Sequence, residues 1–355
     1  MGQAFENYIR AAGVHSQDDN VVTATQFRGS ETGDVVQTTF ALPEIQPDEV
    51  LVKVTHSGLC GSDIHMIKLP LVLGHEGIGI IERTGSACST LNPGDRVGWG
   101  PINATCGNCE MCMAGKDAYC PHAKTYGFEG YDTQGSVMSH AVRKEQWLFK
   151  IPEGVASEHA APLMCGGGTV WVPLVEQCKP YEPVGIVGIG GLGHLAIQFA
   201  AKMGCDVVVF SSTADKRSEA LKLGAGEFYA TKGVSDFKEL GLPKPIDRLI
   251  VTTSAQVNLG LYYEILAKNA TILPLSVDYG ELVLPYMPTV LHGHKVVGSC
   301  VCSRLPQTKM LDFAARHKIS CIVEKYPMTV EGVSKAVNRL RDGQMRYRAV
   351  IGWEY

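Results

Sequence analysis

No apolar run in this 355-residue sequence is long enough to span a bilayer, which takes about 20 residues. No block of five or more basic residues occurs, and 32 Lys and Arg against 36 Asp and Glu leave a net charge of −4. A nucleic acid or an anionic membrane would find no electrostatic support on such a chain. Residues 1–8 have neither the basic start nor the apolar centre of a secretory signal, and Glu6 stands where myristoylation of Gly2 needs Ser or Thr. The expectation is a cytoplasmic protein with a frayed N-terminal arm. Internal repeats and low-complexity segments are absent too, which removes repeat architectures.

Cysteine, by contrast, is plentiful at 12 residues. Without export, clustered cysteines point to metal rather than to disulfides. The composition, 45% hydrophobic and 19% charged, is that of an ordinary globular protein, and the length favours two domains.

The chain is organised around residues 183–204. An apolar run at 184–187 meets Gly188-x-Gly190-x-x-Gly193, and Leu192, Leu195, Ala196, Phe199, Ala200 and Met203 then recur at helical spacing. The spacing predicts strand, tight turn and helix. In such a unit the first glycine permits the turn, the second lets backbone approach a pyrophosphate, and the third lets the helix lie close to the strand. Phosphates then sit at the helix N-terminus. A glycine-rich turn without a ligand is the bland alternative. Against it, Asp206-Val-Val-Val-Phe210 follows as a second strand and residues 214–223 as a second helix, a βαβα order.

Residues 21–162 contain short β-branched segments (49–55, 77–82, 95–99) between Gly and Pro turns and read as a β-rich, barrel-like unit. Residues 165–304 alternate strand and helix: after the opening unit come strand 246–252, helix 256–267, strand 270–276 and strand 295–299. The fold class expected is therefore α/β, with a doubly wound parallel sheet beside a β-rich unit. Two amphipathic helices, 307–317 and 330–342, and a strand-like 347–351 end the sequence and are expected to pack back on the first unit.

Cys106-x-x-Cys109-x-x-Cys112-x7-Cys120 is the most specific local signal. Four thiolates in one loop can close a tetrahedral zinc site with no open position, which makes such a site structural. Free loop cysteines and an iron–sulfur cluster are the competitors. A second, scattered set comprises Cys60-Gly-Ser-Asp63-Ile-His65, Gly74-His75-Glu76 and Cys165. Two thiolates and an imidazole suit a catalytic zinc that keeps a fourth place open, but spacing alone does not assign them.

Taken together and in this order, these motifs closely resemble the zinc-dependent medium-chain dehydrogenases, nearest to the cinnamyl alcohol dehydrogenase branch, from about residue 21 to 351. The resemblance implies a GroES-like catalytic domain over residues 1–163, a Rossmann domain over 164–304, and a segment 305–355 returning to the catalytic domain. It implies two zincs per chain, one on Cys60, His75 and Cys165 with Glu76 as an exchangeable carboxylate, the other on Cys106, Cys109, Cys112 and Cys120. Asp63 would orient the ligand imidazole. Ser62 would hydrogen-bond the substrate oxygen, and His65 would stand at the outer end of a proton relay. Thr169 would lie beside the nicotinamide, with Gly188, Gly190, Gly191, Leu192, Gly193 and Ser299 completing the dinucleotide contacts. A homodimer joined through the Rossmann domains is also implied, with segments 271–275 and 296–300 as edge contacts or simply core strands.

An NAD-preferring unit ends its second strand in a carboxylate that holds the ribose hydroxyls. Here the strand ends in Ser211, Ser212 and Thr213, followed by Asp215, Lys216 and Arg217. Hydroxyls and a cation suit a 2′-phosphate, so NADP(H) is expected, with Asp215 serving as N-cap of the next helix. The expected reaction is hydride transfer between NADPH and a small aldehyde or ketone, giving the alcohol. Three departures from the resembling family bear on substrate. The segment from Cys60 to His75 is short, Cys300-Val-Cys302 replaces an aromatic, and Gly166 to Gly168 are expected to loosen the crossing between domains. The short channel loop keeps open reduction of an activated C=C or C=N bond.

Overall fold

The computed structural model describes residues 21–127, 134–277 and 279–355, so the expected N-terminal arm lies outside the described residues. Strand Glu49–Leu59 is the spine of the first half. It pairs antiparallel with Glu76–Thr84 over most of its length, with His140–Lys144 at its start and with Arg348–Gly352 at its end. Arg96–Trp99, Phe149–Lys150 and Val323–Pro327 complete a seven-stranded sheet. Eleven residues is long for a strand, and register shifts at Leu51/Val52 and Val54/His56 bend it, as a closing β-rich unit requires. Val50, Val52 and Val54 are buried in one apolar cluster and Leu59 in another.

In the second half, six parallel strands stand in the order Glu227–Ala230, Asp206–Ser211, Pro183–Val187, Ile246–Val251, Leu266–Pro274, Lys295–Val296. Counted along the chain this is 3-2-1-4-5-6, the doubly wound order that reverses beside the first strand and opens a crevice there. Strand Pro183–Val187 is buried at every residue, as a parallel strand covered on both faces must be. The glycine turn leads into helix Gly193–Met203, which buries Leu195, Ala196, Phe199 and Ala200 and stops at Gly204 (φ 90°). Phe199 is fully buried against Trp171 (5.5 Å) and Phe313 (6.0 Å), so the tail helix Arg304–His317 packs onto the helix that follows the turn.

Several expectations are corrected. The helix expected over 256–267 is confined to Leu259–Tyr263, and the next strand begins at Leu266 because that residue already pairs in parallel with Ile246. The strand at 295–299 shrinks to Lys295–Val296 on the sheet edge, while segment 271–275 lies inside the sheet between two neighbours. Asp215 is not an N-cap: its carboxylate accepts from the Thr213 hydroxyl (2.9 Å), and the helix begins at Arg217. Gly166, Gly167 and Gly168 do not loosen the crossing. They are buried in a continuous helical segment, a wide turn Leu163–Gly167 running into helix Gly168–Gln177. Among the described residues no helix is long and apolar enough to cross a membrane.

Candidate active site

Strand Glu49–Leu59 delivers the chain to Cys60, whose extended backbone starts the short helix Gly61–His65. Asp63 closes that first turn: its Oδ2 accepts the Cys60 N–H at 2.8 Å. Its Oδ1 faces three donors, the Gly74 N–H (2.9 Å), the Tyr126 hydroxyl (2.8 Å) and His75 Nδ1 (3.4 Å). Gly74 (φ 78°) turns the chain into strand Glu76–Thr84, so His75 and Glu76 arrive beside Cys60. Cys165 comes from the wide helical turn of the crossing segment. One ligand atom from each of Cys60, His75, Glu76 and Cys165 lies within 4.8 Å of all the others, and His75 Nε2 stands 3.3 Å from Cys165 Sγ.

The ionisable groups of this cluster shift one another strongly. The hydrogen bond from Cys165 pulls the Cys60 thiol well below its usual range, and the resulting thiolate pushes Cys165 well above it. Burial opposes a charge on His75, yet Asp63 and Cys60 together hold its pKa well above normal. Burial lifts Glu76 to about 7 against the pull of Arg348, which donates through Nη2 to Glu76 Oε1. Glu76 Oε2 is buried with no hydrogen-bond partner. Two thiols, an imidazole and an unsatisfied carboxylate oxygen at one point are the donor set of a catalytic zinc.

Around the four-cysteine loop, Cys106 Sγ lies 3.6 Å from Cys120 Sγ and 4.0 Å from Cys112 Sγ. Tetrahedral zinc with bonds of about 2.3 Å puts sulfurs about 3.8 Å apart, whereas a disulfide needs about 2 Å. Backbone N–H groups of Asn108 and Cys109 bring the Cys106 thiol down to about 6, so it is largely thiolate at neutral pH. All 12 cysteines are free.

The glycine turn floors a cavity of about 560 Å³ at the point where the strand order reverses. Gly188 has φ 93°, and a Cβ on Gly193 would meet the Gly188 carbonyl at 2.0 Å, so strand and helix touch there without a side chain between them. A Cβ on Gly190 would meet nothing within 4 Å, which leaves that backbone open to a ligand. Ser211, Ser212, Thr213, Asp215 and Lys216 also line the cavity.

Two family models match the chain, the alcohol dehydrogenase GroES-like domain over residues 46–153 and the zinc-binding dehydrogenase domain over 191–316. Cinnamyl alcohol dehydrogenase 8 of Arabidopsis thaliana is 32% identical over 99% of this chain and 97% of its own length. The chain belongs to the zinc-binding alcohol dehydrogenases. It is an oxidoreductase of CH–OH groups with a GroES-like and a Rossmann-type half. NADP-dependent alcohol dehydrogenase C 1 of Mycolicibacterium smegmatis is also 32% identical, over 91% of this chain and 95% of its own. Among solved structures, a cinnamyl alcohol dehydrogenase from Sorghum bicolor superposes with a TM-score of 0.87 at 30% identity, covering 94% of this chain and 98% of that one. The enzyme from Helicobacter pylori, complexed with NADP(H), superposes with 0.84 at 26% identity, covering 94% and 99%.

Of the residues expected at the site of this zinc-binding dehydrogenase, Ser62 is half-buried with its Oγ 3.7 Å from Cys60 Sγ. His65 is exposed at the end of the same helix, with Tyr279 edge-on at 5.7 Å. Gly188, Gly190, Gly191, Ser211, Ser212, Thr213 and Lys216 line the cavity. Leu192, Gly193, Thr169 and Ser299 do not: Leu192 and Gly193 form the start of the helix, Thr169 lies in the first turn of Gly168–Gln177, and Ser299 Oγ is buried without a partner. Arg217 turns away to the Phe228 carbonyl (2.8 Å).

Three residues escaped the sequence reading. Arg348 reaches Glu76, and a Cβ on Gly191 would touch its Nη1 at 3.1 Å, so one guanidinium joins the metal cluster to the glycine turn. A lone Arg inside the apolar run 347–351 was the available signal. His194 and Tyr126 gave none, since a histidine in a helix and a tyrosine in a loop are ordinary.

Proposed function

We propose that this dehydrogenase reduces small aldehydes or ketones with NADPH, with one zinc on Cys60, His75 and Cys165, exchangeable with Glu76, and a second zinc on Cys106, Cys109, Cys112 and Cys120. The observation that carries this is the meeting of two thiols, an imidazole and a carboxylate within 4.8 Å in a chain whose glycine turn opens on a hydroxyl-lined cavity. Zinc in the first set supplies Lewis acidity to a carbonyl or alcohol oxygen, and the nicotinamide supplies or accepts hydride. The protein's own residues manage position and protons. Asp63 fixes the tautomer of His75, leaving Nε2 free to ligate. Ser62 and His65 stand three residues apart on one helix, a spacing that puts them on the same side. Ser62 would give its proton to the developing alkoxide and be reprotonated through the relay that ends at His65, which is exposed and takes its own proton from solvent.

Ser211 and Ser212, whose hydroxyls line the cavity, would donate to the 2′-phosphate, and Lys216 would neutralise it. The Lys216 ammonium already sits in the cavity wall, 2.8 Å from the Ile189 carbonyl and 4.7 Å from the Tyr347 ring centre. Relatives named for NADP support the same cofactor. We place domain boundaries at 163/164 and 304/305, and a homodimer on the exposed apolar side chains Val283, Tyr286, Met287, Val290 and Leu291 beside the edge strand Lys295–Val296. A reducing, cytoplasmic setting suits 12 free thiols.

The test is Ser212→Asp with a panel of aldehydes and both cofactors. A carboxylate there repels the phosphate, so the NADPH:NADH ratio of kcat/KM should fall at least about 10-fold, which is about 1.4 kcal/mol. An unchanged ratio would place the phosphate elsewhere, and a saturated product with its carbonyl intact would replace carbonyl reduction by C=C reduction.

A further inference from the structure

We propose that Tyr126 is a positioning residue of the catalytic zinc site, holding Asp63 and through it the imidazole of His75. The inference rests on the assignment of Cys60, His75 and Cys165 as zinc ligands. Three observations converge on it.

The first is the hydrogen-bond pattern of Asp63. Its Oδ2 is held by one donor, the Cys60 N–H at 2.8 Å. A carboxylate held at one oxygen still turns about its last side-chain bond, where the energy profile is broad. The Tyr126 hydroxyl, at 2.8 Å, is the shortest of the three donors on Oδ1, and His75 Nδ1, at 3.4 Å, is the longest. The phenol and the Gly74 N–H therefore fix Oδ1, and the imidazole is aligned to an acceptor already in place.

The second is ring contact. The Tyr126 ring lies 4.9 Å from the His75 ring at 33°, covering one face of the imidazole. Tyr126 is 4% exposed, Asp63 0% and His75 2%, so the three form a dry unit in which a lost hydroxyl is not replaced by bulk water.

The third is how Tyr126 is itself held. Its N–H donates to the Pro101 carbonyl at 2.8 Å, directly after strand Lys124–Thr125, which pairs with Ile102–Ala104. Those two strands are the stem of the four-cysteine loop, and Tyr126 comes six residues after Cys120. On its other side, a Cβ on Gly127 would run into the Met66 thioether, so the backbone there is packed against the segment that follows helix Gly61–His65. A metal held by the loop would thereby also steady the residue that orients a ligand of the other site.

A tyrosine serving only to fill the core would act through its ring, whereas the positioning role belongs to its hydroxyl. Tyr126→Phe separates the two. The full-length protein loaded with zinc is titrated with a chromophoric chelator, and release is resolved into its two sites by parallel titration of Cys60→Ser. Tyr126→Phe should weaken the catalytic zinc about 10-fold, as loss of an outer-shell partner does, and leave the loop zinc unchanged. With cobalt in the catalytic site, the visible d–d bands should shift in Tyr126→Phe. In an Asp63→Asn background the further substitution of Tyr126 should add nothing, because the path through Asp63 is already cut. Wild-type affinity at both sites in Tyr126→Phe, or a loss fully additive with Asp63→Asn, overturns the proposal. A wild-type chain binding only the loop zinc removes the ligand assignment beneath it, a result distinct from either.

Discussion

His194 should make the folded state fail on mild acidification, by an amount the structure sets. Its ring is fully buried at the second position of helix Gly193–Met203 and stacked on Tyr347 at 5.1 Å. Nδ1–H donates to the Gly190 carbonyl at 2.9 Å, while Nε2 accepts the Ile322 N–H at 3.3 Å. Only the neutral ring in one tautomer satisfies both. Burial, with the Arg348 charge nearby, lowers its pKa from 6.5 to about 4. The folded form thus binds the proton more weakly than the unfolded chain, so this stability is present above pH 6.5 and is lost as pH falls through 4. Linkage gives a loss of about 2 kcal/mol from pH 7 to pH 5, and about 3 kcal/mol by pH 4. Other buried histidines and the zinc sites also respond to acid, so the measurement is a difference. Urea unfolding of wild type and His194→Gln is compared at pH 7, 6, 5 and 4, since a Gln amide oxygen can still accept from Ile322. The variant should be less stable at pH 7 and should close the gap by about 2 kcal/mol at pH 5. Two curves that stay parallel across this range would refute the protonation argument.

Metal analysis should find two zincs per chain, with Cys109→Ser losing the loop zinc and Cys60→Ser losing the other; a single zinc that survives Cys60→Ser would leave only the loop site. Phe199→Ala removes a ring packed against Trp171 and Phe313 and should cost about 3–5 kcal/mol by denaturant unfolding. Arg348→Met leaves Glu76 buried without its cation, a loss of about 3–5 kcal/mol, and Glu76→Gln in the same chain should restore part of it. Glu324 takes hydrogen bonds from Arg339, Tyr326 and the Arg346 N–H, which against its burial hold it at about 2. Its stability is present above pH 4.5 and is lost as pH falls toward 2, so Glu324→Gln should cost about 1 kcal/mol at pH 7, after allowance for solvent screening, and nothing at pH 2.

Local chemistry made much of this molecule legible. Gly188-x-Gly190-x-x-Gly193 specifies a turn wherever it folds, because the close approach of Gly193 to the Gly188 carbonyl is a property of the turn itself. The four cysteines of the loop lie within fifteen residues, so their meeting needs little beyond a short chain closure. Cys60, His75 and Cys165 were placed by resemblance, since their meeting depends on a crossing segment whose path no period reveals. Gly166 to Gly168 read in sequence as loosening the crossing and lie in a buried helical segment in the fold, because glycine also serves where helices pack closely. The helix expected over 256–267 was cut short by strand pairing with Ile246–Val251, a contact set by the sheet rather than by local preference. Asp63's second partner, Tyr126, lies 63 residues away, and no pattern connects them.

The ion pair of Glu76 with Arg348 spans 272 residues of sequence. On a ribosome adding about 5–20 residues each second, the acidic member waits about 15–50 s for its basic partner to be synthesised. The nascent first half must meanwhile keep that carboxyl protonated or wet, so its centre stays unfinished until the last strand, Arg348–Gly352, slides in beside Glu49–Leu59. This buried charge pair, and with it the reactive centre, is complete only once that last strand is in place.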